Sequence, residues 1–315
     1  MQTQFIREAR PDPERRRLLK RALLITIAGN LGLAISKAVV AAITDSAALY
    51  ADAANSVSDV FYSLLMTVGL WIAQKPPDQG HPQGHSRFEP LAGMVVAGAM
   101  TLAAYEAARM AVSRFIAGGS VIAGGWPTVV LVSSAGVKAL MYVIIHRIAA
   151  KATSPALDAS ARDHLTDVLT SLAAFVGILG SQLIHPVADP IAGALVAVWI
   201  ARSALDVWGE NLRYLTGGSA SAELREEIVQ AAASVKGVIR VHQVITEHAG
   251  PEVVADLHVN INGHLPLFDA HAISDTVCDR VEALAGIDRA YVHIEPCMVP
   301  ECDEEEVANL QVSAV

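Results

Sequence analysis

The feature that most constrains this chain is a series of six apolar stretches, each long enough to cross a lipid bilayer, which takes about 20 helical residues. Hydrophobic residues make up 53% of the sequence and charged residues 17%, against roughly 25% charged residues in soluble proteins. The net charge of −9 argues against a nucleic-acid-binding protein, which needs a basic surface. The sequence therefore predicts an α-helical membrane protein with a bundle of six transmembrane helices. The predicted spans are 18–43, 47–73, 88–115, 125–149, 157–184 and 189–208.

Lysine and arginine residues are distributed unevenly around these spans. They precede or begin the first span and flank the second and fourth loops, whereas the first and fifth loops carry none. The residues that carry this argument are Arg15, Arg16, Arg17, Lys20, Arg21, Lys75, Arg87, Arg147 and Lys151. By the positive-inside rule, the second and fourth loops and both termini are cytoplasmic. We therefore predict a multi-pass protein of the plasma (inner) membrane with cytoplasmic N- and C-termini.

The sequence changes character after about residue 215, where long apolar runs give way to short periodic segments. The patterns predict helices at 222–235 and 269–285, and strands at 239–247, 253–262 and 290–295. The order α-β-β-α-β is typical of a small α+β domain with its helices on one face of a sheet. The predicted domains are a cytoplasmic N-terminal segment (1–17), a transmembrane domain (18–210), a cytoplasmic domain (211–300) and an acidic C-terminal tail (301–315).

Two predicted spans contain carboxylates that a purely structural helix would not need. The second span holds Asn55 and Asp59, and the fifth holds Asp163 and Asp167. Each pair is four residues apart and therefore lies on one helix face. Charged groups inside a span are costly and usually face the bundle interior or a cavity. The two matched pairs predict a site for a metal ion within the membrane.

Other interpretations of these polar residues remain open. Asn55 is also suited to an interhelical hydrogen bond, and one of the aspartates to an ion pair with Lys37 or Lys138. Asp52, one turn before Asn55, is either an outer-shell or entry residue for the ion or a helix-start residue near the interface.

The predicted carboxylates suggest a mechanism. Three carboxylates close together in a medium of low dielectric constant cannot all stay ionised, so a site without metal is expected to take up protons. Metal entry should then expel those protons. Competition between metal and protons for one site is the physical basis of an antiporter.

Two further groups of metal-ligating side chains lie outside the predicted spans. The second cytoplasmic loop contains Asp78, His81 and His85, with Gly84 allowing a tight turn; the alternative is a polar loop that caps the next helix. The C-terminal domain is rich in histidine, and its alternating strands can bring several of these side chains to one sheet face or to a subunit interface. The candidate ligands there are His242, His258, His271, His293 and Glu295.

Five motifs give the chain a family resemblance. They are SAALYADAANSVSD (46–59), HPQGHSRFE (81–89), DHLTDVLTS (163–171), DP (189–190) and HIEP (293–296). From about residue 18 to residue 300 the chain resembles the cation diffusion facilitators, which are dimeric metal–proton antiporters. The resemblance implies six membrane helices followed by a cytoplasmic ferredoxin-like domain, and a homodimer whose substrates are metal ions and protons. It implies no enzymatic activity.

The resemblance also implies three metal sites. The transport site is formed by Asn55, Asp59, Asp163 and Asp167, and the loop site by Asp78, His81 and His85. The binuclear site of the soluble domain is formed by His242, His258, His271, His293 and Glu295, with Glu295 standing where an aspartate is common. His248 and His264 match no ligand position, and we interpret them as surface residues.

The donor atoms of the transport site predict its metal. Zinc-selective family members commonly place a histidine where this chain has Asp163, and His164 is displaced from that position by about 100° around a helix. Three carboxylates and an amide suit a hard ion such as Mn²⁺, whereas imidazole suits Zn²⁺. The pattern is similar to that of the manganese-exporting branch. The expected cargo is Mn²⁺, then Fe²⁺, with Zn²⁺ and Cd²⁺ as alternatives.

Three other classes of protein fit this pattern less well. An intramembrane aspartyl protease needs GxGD and YD motifs, and a membrane zinc protease needs HExxH, none of which occurs in the sequence. A membrane-bound metal sensor without transport would explain the soluble domain, but it would not need carboxylates inside the membrane spans.

Overall fold

The computed structural model describes residues 5–8, 12–44, 47–119 and 126–297, so the predicted acidic tail (301–315) lies outside the described residues. Six long helices come first, and each is long and apolar enough to cross a membrane. They are α1 (Pro13–Thr44), α2 (Ala47–Ala73), α3 (Phe88–Ile116), α4 (Trp126–Ala152), α5 (Pro155–Leu183) and α6 (Ala188–Leu215). This arrangement confirms the prediction of a six-helix membrane protein.

The six helices pack closely where small residues face a neighbouring helix. A Cβ atom added to Gly29 of α1 would lie 2.5 Å from Met141 Sδ of α4, and one added to Gly69 of α2 would lie 2.6 Å from Ala92 Cβ of α3. A side chain at Gly69 would force α2 and α3 apart, whereas the flexible end of Met141 could move away from one at Gly29. Small residues are common at contacts between membrane helices for this reason. The apolar core of this unit includes Leu19, Met66, Leu70, Met100, Ile145 and Leu157.

The connection between α4 and α5 sets the depth of the candidate site. Ser154 caps α5, because its Oγ accepts a hydrogen bond from Leu157 N at 3.3 Å, and Pro155 is the first helical residue. Lys138 lies about 14 residues before the end of α4, and Asp167 lies about 12 residues after the start of α5. At 1.5 Å per residue, both lie about 20 Å from the connection. The two antiparallel helices therefore bring these residues to the same depth.

The soluble unit contains α7 (Ala222–Ala233), β1 (Val238–Ala249), β2 (Glu252–Asn262), α8 (Leu267–Glu282) and β3 (Ile287–Cys297). The sheet order is β1-β2-β3, with β1 and β2 antiparallel and β2 and β3 parallel. Both helices pack on one sheet face through a core that includes Ile228, Ala232, Leu257, Val277 and Val281. The predicted αββαβ order is confirmed.

Strand β1 contains an irregularity that affects the candidate ligands. Its register with β2 shifts between Val241 and Gln243, so His242 is an extra residue in β1. Val241 and Val244 both pack against the core although they are three residues apart, whereas a regular strand alternates every two residues. A β-bulge of this kind redirects side chains, and it lets His242 lie on the sheet face opposite the helices.

Candidate metal centres

Three carboxylates approach one another between α2, α4 and α5 in the membrane unit. Ligand atoms of Asp163, His164 and Asp167 all lie within 4.8 Å of one another. Asp59 of α2 is connected to this group through Lys138 of α4, whose Nζ lies 2.9 Å from Asp59 Oδ2 and 2.6 Å from Asp167 Oδ2. The structure thus brings three of the four predicted transport-site residues to one place.

Asn55 and Asp52 lie on α2, one and two turns before Asp59. Their side chains are outside the described part of the structure. The predicted roles of Asn55 as a ligand and of Asp52 as an outer-shell or entry residue therefore remain predictions.

Lys138 makes more contacts than the sequence suggests, since the sequence indicates it only as a partner for a single aspartate. In the structure its side chain is 5% exposed and contacts two carboxylates from different helices. Asp163 adds a further electrostatic attraction to the same ammonium group. An ionisable residue in the middle of a membrane span is itself a signal of function, and that signal points to Lys138 without showing which carboxylates it meets.

His164 differs from the sequence-based expectation. The expected position is about 100° away from Asp163 around the helix, but the structure places a ring nitrogen of His164 within 4.8 Å of a carboxylate oxygen of Asp163 and one of Asp167. The reason is that His164 and Asp167 are three residues apart and share a helix face. The imidazole is 1% exposed, and neither ring nitrogen has a hydrogen-bond partner among the described residues.

A polar contact between α1 and α2 supports the backbone next to Asp59. Ser63 Oγ donates a hydrogen bond to the Asp59 carbonyl oxygen at 2.7 Å and accepts one from Asn30 Nδ2 at 2.8 Å. The side chains of Ser63 and Asn30 are both buried. This contact holds the turn of α2 that carries Asp59 against α1, and no pattern in the sequence predicts it.

The loop between α2 and α3 brings its three predicted ligands together. His85 Nε2 lies 3.4 Å from Asp78 Oδ2, His81 Nδ1 lies 3.8 Å from Asp78 Oδ1, and the two imidazole rings are 4.5 Å apart. Gly84 has a φ of +101°, a left-handed conformation that glycine adopts without strain. Hydrogen bonds from the backbone amides of His81 and Gly80 hold the pKa of the Asp78 carboxyl below its ordinary value.

A third cluster occupies the sheet face of the soluble unit that the helices leave uncovered. His258 Nδ1 donates to Glu295 Oε1 at 2.9 Å, His242 Nε2 lies 3.4 Å from Glu295 Oε2, and His293 Nε2 lies 3.9 Å from Glu295 Oε1. His258 and His293 are paired in the parallel register of β2 and β3. The hydrogen bond from His258 lowers the pKa of the Glu295 carboxyl, which favours its ionised form.

Two histidines of the soluble unit depart from the pattern expected of them. His271 lies on α8 and contacts Asp275 at 3.6 Å, apart from the cluster of His242, His258 and Glu295. His248 is interpreted from the sequence as a surface residue, but it is 7% exposed and packs edge-on against the Tyr214 ring at 4.7 Å. The cause is its place on β1, where it alternates with exposed residues and points toward the interior.

Comparisons with known proteins match almost the whole chain. A family model described as the cation efflux transmembrane domain matches residues 23–216, and a model described as the cytoplasmic domain of cation efflux proteins matches residues 220–297. An uncharacterized transporter of Methanocaldococcus jannaschii is 35% identical over 279 residues, covering 89% of this chain and 99% of the relative.

Two relatives from Bacillus subtilis have names that state a cargo. The manganese efflux system protein MneS is 29% identical and covers 87% of this chain and 94% of its own length. The manganese efflux system protein MneP is 27% identical and covers 90% of this chain and 98% of its own length.

Proposed function

This chain belongs to the cation efflux family of membrane transporters for metal cations, which are not enzymes, and from that premise we propose that it exports Mn²⁺ in exchange for protons. Fe²⁺ is the next candidate cargo, followed by Zn²⁺ and Cd²⁺. The observation that carries the proposal is the convergence of Asp59, Asp163 and Asp167 inside the membrane unit. Carboxylate oxygens are the donors that suit Mn²⁺.

The exchange follows from the charge of the site. The carboxylates lie among apolar helices, where like charges repel strongly and each carboxylate is poorly hydrated. A divalent cation relieves this repulsion, and protons do so when the cation has left. The same oxygens therefore bind either cargo, and movement of the site between the two membrane faces would couple efflux of metal to entry of protons.

Metal flux into proteoliposomes with an imposed proton gradient tests this proposal. Mn²⁺, Fe²⁺, Zn²⁺ and Cd²⁺ are offered separately at the same concentration, with empty liposomes as the control. Mn²⁺ flux that stops when the gradient is dissipated supports both the cargo and the antiport. Flux of Zn²⁺ alone would overturn the choice of metal, and flux that is insensitive to the gradient would overturn the antiport.

The loop and soluble clusters suit a recruiting or regulatory role. Asp78, His81 and His85 lie in the loop between α2 and α3, and the His258–Glu295 cluster lies in the soluble unit. If proteoliposomes show no flux while metal still binds the full chain, the protein is a metal sensor. The carboxylates within the membrane unit favour transport.

A homodimer in the plasma membrane with cytoplasmic termini completes the proposal. His271 lies apart from the other soluble-unit ligands within one chain, so a site that includes His271 would require a second copy. Light scattering of the purified protein tests the dimer, and a mass of one chain would exclude it. Cysteine labelling from each side of the membrane tests the orientation.

A further inference from the structure

Lys138 occupies a position that the proposed exchange does not explain. Its Nζ donates a hydrogen bond to Asp59 Oδ2 at 2.9 Å and lies 2.6 Å from Asp167 Oδ2. Its side chain is 5% exposed, whereas those of Asp59 and Asp167 are 15% and 28% exposed. The ammonium group is thus the most enclosed of these three side chains, and it bridges the two helices that carry the carboxylates.

A divalent cation and this ammonium group compete for the same two oxygens. An ion coordinated by Asp167 Oδ2 would lie about 2.1 Å from that oxygen, and the oxygen itself lies 2.6 Å from Lys138 Nζ. The ion and the ammonium nitrogen would then be less than about 5 Å apart, where like charges repel strongly in an apolar medium. The ion cannot bind both carboxylates while Lys138 keeps its place.

We propose that Lys138 is a tethered cation that competes with the transported ion for Asp59 and Asp167. This inference rests on the proposed function and adds a residue that sets the affinity of the same site. The ion enters as the lysine side chain swings away, and the lysine returns to the carboxylates as the ion leaves. A lysine suits this role because its ammonium is a compact charge on a flexible four-carbon chain.

The competition has a consequence for transport. A site with several carboxylates and no internal cation would hold a divalent ion tightly and release it slowly. Lys138 weakens that binding by supplying an alternative partner to two of the carboxylates at once. The lysine therefore promotes release of the ion on the far side of the membrane.

The test compares the full-length wild type with Lys138→Met and Lys138→Arg in proteoliposomes at pH 8, where protons compete least. Lys138→Met should lower the Mn²⁺ concentration for half-maximal flux at least tenfold and lower the maximal flux. Lys138→Arg should raise that concentration at least tenfold, because a planar guanidinium binds two carboxylates more firmly. Lys151→Met is the matched control, since Lys151 is an exposed lysine at the end of the same helix, and it should behave as the wild type.

A half-saturating concentration that is unchanged or raised in Lys138→Met would overturn the proposal. If that variant does not fold, because it leaves two buried carboxylates without their partner, Lys138→Arg decides the question: wild-type affinity in the arginine variant would overturn it. If the wild type carries no metal, the proposed function fails. Equilibrium Mn²⁺ binding to the same variants then tests Lys138 separately, because the loop and soluble clusters are common to all of them.

Discussion

At the scale of single residues, the proposed ion site in the membrane unit depends on a few carboxylates. Asp163 and Asp167 lie one turn apart on α5, and Asp167 also meets Lys138, which connects it to Asp59. Helix α2 contributes the carboxylate of Asp59, and α5 contributes those of Asp163 and Asp167. The proposed site therefore depends on both helices. Loss of one carboxylate removes a ligand without changing the apolar surfaces through which the helices pack.

Asp163→Ala and Asp167→Ala should therefore each abolish Mn²⁺ flux, with a loss of at least about a hundredfold. Removing a residue that only supports a metal ligand already lowers metal affinity by about 10–100-fold. The dimer should persist in both variants. Flux into proteoliposomes and light scattering measure the two properties, with Asp206→Ala on α6 as a control. Retained flux in either variant would contradict the site assignment.

Two opposite substitutions test the argument from donor atoms. Asp163→His adds a nitrogen donor and should shift the preference of the transporter towards Zn²⁺, whereas His164→Asn removes one and should shift it towards Mn²⁺. The ratio of Zn²⁺ to Mn²⁺ flux, measured in the same proteoliposomes, reports the change. An unchanged ratio in both variants would show that ligand chemistry does not determine selectivity.

At the scale of elements, the three strands of the soluble unit assemble a cluster that no strand forms alone. Its members come from the bulge of β1, the middle of β2 and the end of β3. Glu295 is the common partner, because it contacts His242, His258 and His293. The cluster thus depends on the register of both strand pairs.

Glu295→Ala should reduce the rise in Tm that added metal produces by more than half, because a ligand that binds only the folded state stabilises it. Thermal unfolding with and without Zn²⁺ or Mn²⁺ measures this effect. Glu226→Ala, an exposed glutamate of α7, serves as the control. An equal metal-induced rise in Tm for Glu295→Ala would exclude the cluster as a metal site.

The end of β1 should make stability depend on pH. Burial and the neighbouring Arg213 hold the pKa of His248 below its ordinary value, so the folded state binds this proton less readily than the unfolded chain. The stability contributed by neutral His248 is complete above the ordinary pKa of about 6.5 and is lost as pH falls through the lower folded-state pKa. The Tm of wild type should therefore fall more between pH 7 and pH 5 than that of His248→Gln.

The control for this prediction is His264→Gln, because His264 is exposed in the turn after β2. Its pH dependence should equal that of the wild type. Equal slopes for His248→Gln and the wild type would contradict the assignment of this effect to His248.

At the scale of the whole molecule, the proposed antiport requires that each cargo drive the other. An outward Mn²⁺ gradient should move protons in the opposite direction, because both bind the same carboxylates. A pH-sensitive dye trapped in proteoliposomes would record the proton movement, and Asp167→Ala should show none. Mn²⁺ flux without proton movement would indicate a uniporter.

Local patterns in the sequence determined the larger part of this description. Six apolar spans, two pairs of polar residues at four-residue spacing and the αββαβ order all follow from periodicity along the chain, and a helix or strand imposes that periodicity on neighbouring residues. The types of donor atom in the three candidate metal clusters can also be read from the sequence, although the soluble-unit cluster takes its side chains from three strands.

Tertiary structure alone decided which groups meet across elements. Lys138 reaches Asp59 and Asp167 because the connection between α4 and α5 places them at one depth, and His242 joins its cluster because β1 contains a bulge. These contacts depend on the depth of each helix, on the direction in which its side chains face and on strand register. All three arise from packing between distant segments and leave no periodic trace in the chain.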